Sequence, residues 1–359
     1  MLRWITRGFA VIGVFFVILL ALYFVTAPPS SEEKYGLSKE EYIPLGEVNY
    51  SEEYCTNMEE LKKPAAFFYR TYDSSSSIRA QDNFGTYYED EIYSAAKDDP
   101  DQYNTAEAWR EYQLDGSYGE IRGRVILPYG RRTDNSSESY LRIFGDGVVV
   151  YCSEPVTAGC NVQDFTVDIS GFSRLKVHIQ GCKMLNLVDC GLYKDSSIPT
   201  VSTAEEPEVY SKSQAYLGEF RVFNVSKRED GGDDGHLSDR GETTDNWGTT
   251  YTNGCCLFTY HENNRTEEEL WSDIWLGGRY QRIKGIVVLS GEYGGSIPKN
   301  VYFSVYGDGE LLYQSAPLEE GCEPQGFDLD ISGITTLRVA STDHTNDILR
   351  VVDCMLYKE

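Results

Sequence analysis

The chain has 359 residues, enough for two or three ordinary domains, and 41% hydrophobic with 13% aromatic residues to build their cores. Acidic residues outnumber basic ones 57 to 32, for a formal net charge of −25. With no basic stripe anywhere, this excludes a nucleic-acid partner, because binding a phosphate backbone draws on Lys and Arg to displace counterions.

Residues 1–27 read as a signal-anchor, a transmembrane segment. Arg3 and Arg7 precede an uncharged run, Phe9 to Val25, and Glu32 and Glu33 follow it. Positive charge before the span and acid after it put the N-terminus in the cytoplasm and the rest outside. With Trp4 and Ile5 the segment approaches the ~20 residues a bilayer needs. Val25-Thr26-Ala27 also offers a small-residue cleavage site, which would make the protein secreted, but the apolar run is long for a signal peptide. Either way residues 28–359 are exported, so the sequence places the protein at the cell membrane as a single-pass protein with an extracellular C-terminal region. Residues 28–63 are polar and acidic, a stalk.

From there the chain repeats itself. "FGDGVVVYCSEPVTAGC" (Phe144 to Cys160) returns as "YGDGELLYQSAPLEEGC" (Tyr306 to Cys322), 162 residues later, and 14 of the 28 positions from 144–171 match those from 306–333. "YGEIRGRVIL" (Tyr118 to Leu127) returns as "YQRIKGIVVL" (Tyr280 to Leu289), "DNFGTYY" (Asp82 to Tyr88) as "DNWGTTY" (Asp245 to Tyr251), and "VDCGLYK" (Val188 to Lys194) as "VDCMLYK" (Val352 to Lys358). A period this long exceeds the ~20–50 residues of solenoid repeats and signals a duplicated domain. The units span 64–194 and 215–359. The Ser-, Pro- and acid-rich stretch 195–214 reads as an extended linker.

Each unit is a succession of short alternating runs. "NVYFSVYG" sets Val301, Phe303 and Val305 on one face; "GFDLDIS" sets Phe327, Leu329 and Ile331 on one face. A period of two over such lengths marks half-buried strands. Seven or eight per unit predict an all-β chain of two tandem antiparallel β-sandwich domains of jelly-roll type. The repeated Gly-Asp-Gly sits between two such runs and predicts a hairpin turn, where Asp-Gly accepts positive φ. "TAEAWREYQL" and "RTEEELWSDI" read as short helices capped by Thr105 and Thr266, packing Trp109 and Trp271 against the sandwich.

The pattern "DNWGTTY", "GGRYQRIKG", "VYFSVYGDGELLYQS", "FDLDISGITTLRV", "VVDCMLY" resembles the NPCBM family of carbohydrate-binding modules, over essentially all of both units. The resemblance implies a galactose-binding-like jelly roll and a glycan or cell-surface polysaccharide partner. The first copy departs more, with Phe84 for Trp, "LDGSY" for "LGGRY" and Phe144 for Tyr, so the second is the better candidate for a ligand site.

A sugar site needs an aromatic face for the ring and planar polar groups for its hydroxyls. The matching cluster is Asp245, Asn246, Trp247 and Tyr251, with Asp82, Asn83, Phe84 and Tyr88 in the first copy. The same residues also read as an Asp-Asn turn with a core aromatic. Trp275 and Arg279 add a second group: Trp275 stands where the first copy has Gln113, so the fold does not demand it, whereas Trp271 repeats Trp109 and reads as core. Calcium could sit on the carboxylate-rich stretch Arg228 to Asn246, although its spacing matches no EF-hand; no other cofactor is indicated. The nine cysteines fit an oxidising compartment. Spacing predicts bridges Cys160–Cys190 and Cys322–Cys354, with Cys152 and Cys182 as a further pair; Cys55, Cys255 and Cys256 have no assigned partner, and no compact C-x-x-C points to a metal. The four histidines are scattered, and no zincin, nucleophile-elbow or P-loop motif occurs. The expectation is a non-catalytic, membrane-anchored extracellular carbohydrate-binding protein with tandem modules; the alternative is a structural or protein-interaction ectodomain that binds no sugar.

Overall fold

A computed structural model describes residues 34–55, 65–71, 80–96, 107–129, 138–157, 159–180, 185–226, 236–258, 269–291, 301–342 and 348–358. The anchor, Cys182, Thr105 and Thr266 lie outside these residues. Among the described residues no helix is long and apolar enough to cross a membrane.

The first half of the chain forms β1 (Tyr42–Pro44), β2 (Tyr50–Cys55), β3 (Ala65–Thr71), β4 (Ala80–Gln81), β5 (Tyr87–Tyr88), β6 (Asp90–Ala96), β7 (Glu107–Gln113), β8 (Glu120–Ile126), β9 (Tyr140–Gly145), β10 (Val148–Cys152), β11 (Gln163–Asp168), β12 (Arg174–Gln180) and β13 (Asn186–Tyr193). The second half forms β14 (Gln214–Tyr216), β15 (Val222–Val225), β16 (His236–Thr244), β17 (Thr250–Phe258), β18 (Leu270–Trp275), β19 (Arg282–Leu289), β20 (Phe303–Gly307), β21 (Glu310–Gln314), β22 (Gln325–Asp330), β23 (Thr336–Ser341) and β24 (Leu349–Tyr357). One sheet runs β11-β8-β13-β6-β3 with β1 joined to β13, and its counterpart runs β22-β19-β24-β17-β16 with β14 joined to β24. The other pair runs β10-β9-β12-β7-β2 and β21-β20-β23-β18-β15. The two halves therefore share one strand order, and every ladder between named strands is antiparallel. Alternation drives each pair of sheets together. Ile121, Leu141, Ile143, Leu175, Val177 and Leu187 meet in one apolar cluster, and Ile274, Ile283, Phe303, Val305, Leu337 and Val339 in another. The fold is all-β, and a second sheet covering the apolar face of the first is what lets each hide its inward row from water.

The predicted turns form. Asp146 and Gly147 have φ of 45° and 86°, and Asp308 and Gly309 have 48° and 87°, closing the β9–β10 and β20–β21 hairpins with two residues each. This is the left-handed pair that a two-residue hairpin needs.

The two predicted helices are instead strands β7 and β18. Ala108, Arg110 and Tyr112 point inward while Trp109 and Glu111 point out, a period of two that pairing with β12 on one side and β2 on the other enforces. Trp109 is accordingly on the outer face, stacked on Tyr54 at 5.7 Å and capped by Lys176 at 4.1 Å. Trp271 sits likewise under Arg338 at 3.7 Å, so neither is a core residue.

The predicted bridges Cys160–Cys190 and Cys322–Cys354 are absent from the structure, where the four cysteines are unbridged; the predicted Cys152–Cys182 pair rests on Cys182, which lies outside the described residues. Cys190 and Cys354 are fully buried on the inner strands β13 and β24, behaving as small apolar core residues, and burial raises both thiols well above the ordinary range. Cys160 and Cys322 occupy loops fixed by bonds to their carbonyls, described below. Part of the acid-rich stretch, His236–Thr244, is strand β16 rather than loop. Among the described residues no three His, Cys, Asp or Glu side chains gather where they could hold a metal ion.

Candidate functional site

The Asp-Asn-aromatic-Gly motif makes the same local structure twice. Asp82 Oδ1 accepts the N–H groups of Phe84 and Thr86, both at 2.9 Å, and its Oδ2 accepts the Tyr88 hydroxyl at 3.0 Å. Asp245 Oδ1 accepts the N–H groups of Trp247 and Thr249 at 2.9 and 2.8 Å, and its Oδ2 accepts the Tyr251 hydroxyl at 3.1 Å. Both aspartates are 1% exposed. Their oxygens are consumed in shaping the turn, so Asp82, Tyr88, Asp245 and Tyr251 build the loop rather than offer groups to a ligand. Burial is the main influence raising the Asp82 carboxyl, opposed by the donors around it, and burial likewise raises the Tyr251 hydroxyl.

The loops differ in their surroundings. In the second half Trp247 is 61% exposed, and its indole Nε1–H donates to the Cys322 carbonyl at 2.9 Å. The ring's single polar atom is thereby satisfied and its position fixed, leaving an apolar surface toward solvent beside the exposed Asn246. In the first half the Cys160 carbonyl takes the corresponding bond from Asn83 Nδ2 at 3.0 Å, and Asn83 is fully buried. Phe84 is 4% exposed. Trp275 stacks on it at 4.8 Å and 30°, and Phe223 meets it at 5.1 Å edge-on.

Trp275 and Arg279 therefore join Phe84, not Trp247. Arg279 lies over Trp275 at 4.5 Å and over Tyr210 at 5.2 Å, and its Nη2 donates to Glu206 at 2.6 Å. Arg221 completes the cover, donating to Gln81 at 2.9 Å and to the Tyr87 hydroxyl at 3.1 Å. A Cβ on Gly85 would stand 2.6 Å from Arg221 Cδ, so glycine is what permits this approach. The predicted group thus splits in two: a sealed junction around Phe84 and an open platform at Trp247. Sequence reasoning missed Phe223 and Arg221, whose short strand and flanking turn carry no repeated motif.

No curated protein matches the chain. Among solved structures it is similar to the M60 catalytic domain with two CBM51 domains of Clostridium perfringens ZmpB, at 12% identity and a TM-score of 0.31, covering 88% of this chain and 38% of that one. It is also similar to a CBM51 from Clostridium perfringens GH95 in complex with methyl-galactose, at 18% identity and a TM-score of 0.30, covering 40% of this chain and 99% of that one. A third is the CBM22-1–CBM22-2 tandem of Paenibacillus barcinonensis Xyn10C, at 13% identity and a TM-score of 0.25, covering 88% and 96%. At scores this low neither the ligands nor the activities of those proteins carry over. A family model described as NPCBM/NEW2 domain matches residues 248–352, which begin one residue after Trp247 and include β24 as far as Val352.

Proposed function

We propose that the protein is a non-catalytic carbohydrate-binding protein, tethered to the membrane by its N-terminal segment with residues 28–359 outside the cell, and built of tandem modules at 64–194 and 215–359. The observation that carries the reading is Trp247: a large aromatic held in place by the bond to Cys322, 61% exposed, with Asn246 exposed beside it. A fixed aromatic face of this kind takes the C–H face of a pyranose, and an adjacent amide takes its hydroxyls. The family match over 248–352 supports the same reading. The test is a glycan array with the full extracellular chain. Signal abolished by Trp247→Ala supports the proposal, and a blank array with folded protein overturns it.

A second reading, a protein-interaction ectodomain, is favoured by one specific observation. The first half's equivalent loop is covered by protein: Trp275, Phe223 and Arg221 occupy it.

A further inference from the structure

The linker does not hang free. Arg122 Nη1 donates to the Ile198 carbonyl at 2.7 Å and to Thr200 Oγ1 at 3.1 Å, and Nη2 to the Asp195 carbonyl at 3.0 Å. The Tyr193 hydroxyl accepts from Val201 N–H at 2.9 Å. Asp189 Oδ1 takes both the N–H and the hydroxyl of Thr203, at 2.9 and 2.6 Å. Tyr87 and Glu205 exchange N–H···O bonds of 3.0 and 2.8 Å, a one-residue bridge, and Pro207 reaches Gly85. An extended segment thus runs past Asp189, Glu89 and Tyr87 and ends beside Gly85, next to Phe84 in the chain.

The second half carries the same surface, and none of the described hydrogen bonds seats a chain segment on it. By the repeat offsets, Asp353 stands for Asp189, Tyr251 for Tyr88, Thr250 for Tyr87, Gly248 for Gly85 and Trp247 for Phe84. The backbone agrees: Asp189 and Asp353 have φ of 50° and 47°, and Thr250 pairs with Thr244 as Tyr87 pairs with Gln81. The exposure is reversed. Asp189 is 1% exposed and Asp353 is open; Tyr88 is 2% exposed and Tyr251 is half-buried; Thr250 and Gly248 face solvent.

We propose that this strip of the second half, from Asp353 over Tyr251 and Thr250 to Trp247, docks an extended polypeptide segment of another protein, with a serine or threonine whose N–H and hydroxyl are received by Asp353. The occupant is read from the linker seated on the equivalent strip. It is not the linker of a second copy, because that linker is already held by its own Arg122, Tyr193 and Asp189. The strip shares Trp247 with the glycan reading and goes beyond it through Asp353 and Thr250, on which that reading does not depend.

The test titrates a labelled synthetic peptide copying residues 197–211 into the full chain and follows its anisotropy. Saturable binding is expected, weakened at least tenfold by Asp353→Gly, which removes the carboxylate and suits the positive φ, and by Thr203→Val in the peptide. Asp353→Asn, which also tolerates that backbone, is expected to weaken it in the same direction. Absence of peptide binding at millimolar concentration overturns the proposal, as does equal binding by the Asp353 variants. If Asp353→Gly removes glycan-array signal while the peptide never binds, the strip is a sugar subsite and the proposal falls. Trp247→Ala read on the array alone reports separately on the carbohydrate reading.

Discussion

At the scale of single residues, the repeated Asp-Gly turn shows where sequence reading succeeds and stops. Positive φ follows from the residue types alone. What the text cannot state is that the same aspartate reaches across to the next strand: Asp308 accepts from Thr335 N–H at 3.2 and 3.1 Å and from Thr336 N–H at 2.8 Å, and Asp146 does the same with Ser173 and Arg174. The partners are 27 and 28 residues away, a distance no local pattern encodes. Asp308→Ala loses both the acceptors and the tolerance for positive φ, and should cost about 1–2 kcal/mol. Asp308→Asn keeps the backbone and one acceptor and should cost less than about 1 kcal/mol. Urea unfolding midpoints in the order wild type, Asn, Ala check this. Asp90 makes a second residue-scale prediction. Complete burial, then the neighbouring Asp189 charge, push its carboxyl up to about 7. Asp189 N–H donates to its Oδ1 at 3.0 Å. A folded pKa raised above the unfolded one means the native state holds the extra proton between about pH 4 and 7, so this group's stabilisation is present at the acid end and is lost as pH rises through 7. Asp90→Asn should flatten that slope and stabilise the protein at pH 8, seen in denaturation midpoints measured from pH 4 to 8.

At the scale of elements, alternation found the strands and misled only where charge diluted it. "EAWREYQ" looks helical because Glu, Ala and Arg favour helices, yet tertiary pairing overrides propensity. Arg110 sits on the inner row beside Glu53, at 2.8 Å, so a charged residue occupies what alternation would mark as apolar. The linker was legible as extended and illegible as attached, since its anchor is the guanidinium of Arg122 some seventy residues earlier. That attachment is testable. Arg122 is 5% exposed and sandwiched between Glu120 and the linker carbonyls, with Tyr193 at 4.4 Å beneath it. Arg122→Ala removes three of the linker's hydrogen bonds, each worth roughly 0.5–1.5 kcal/mol net and more where charged. Limited proteolysis should leave residues 195–211 intact in the wild type and cut there several-fold faster in the variant. Equal cutting rates would mean the strap is held elsewhere.

At the scale of the whole molecule, the two halves share a strand order but not a surface. The candidate motif was readable twice in the sequence, and the departures of the first copy pointed to the second; what covers the first was not readable, because the answer lies in residues of the other half. Phe84 is covered by Trp275, Phe223 and Arg221, whereas Trp247 is 61% exposed. The consequence for binding is numerical. Two independent platforms would each hold sugar, and losing one would halve the capacity and remove any gain from effective concentration. On the carbohydrate reading, a single open platform among the described residues corresponds to one equivalent of glycan per chain, and Trp247→Ala should remove binding altogether rather than by half. Calorimetric stoichiometry with an array-positive oligosaccharide measures this directly. The same variant should leave stability within about 1 kcal/mol, as expected of an exposed side chain, whereas Phe84→Ala should cost about 3 kcal/mol by emptying the junction, leaving glycan affinity at Trp247 unchanged. A stoichiometry of two, or half-capacity in Trp247→Ala, would require the Phe84 junction to open in solution, against the aromatic stack and the two Arg221 bonds that close it.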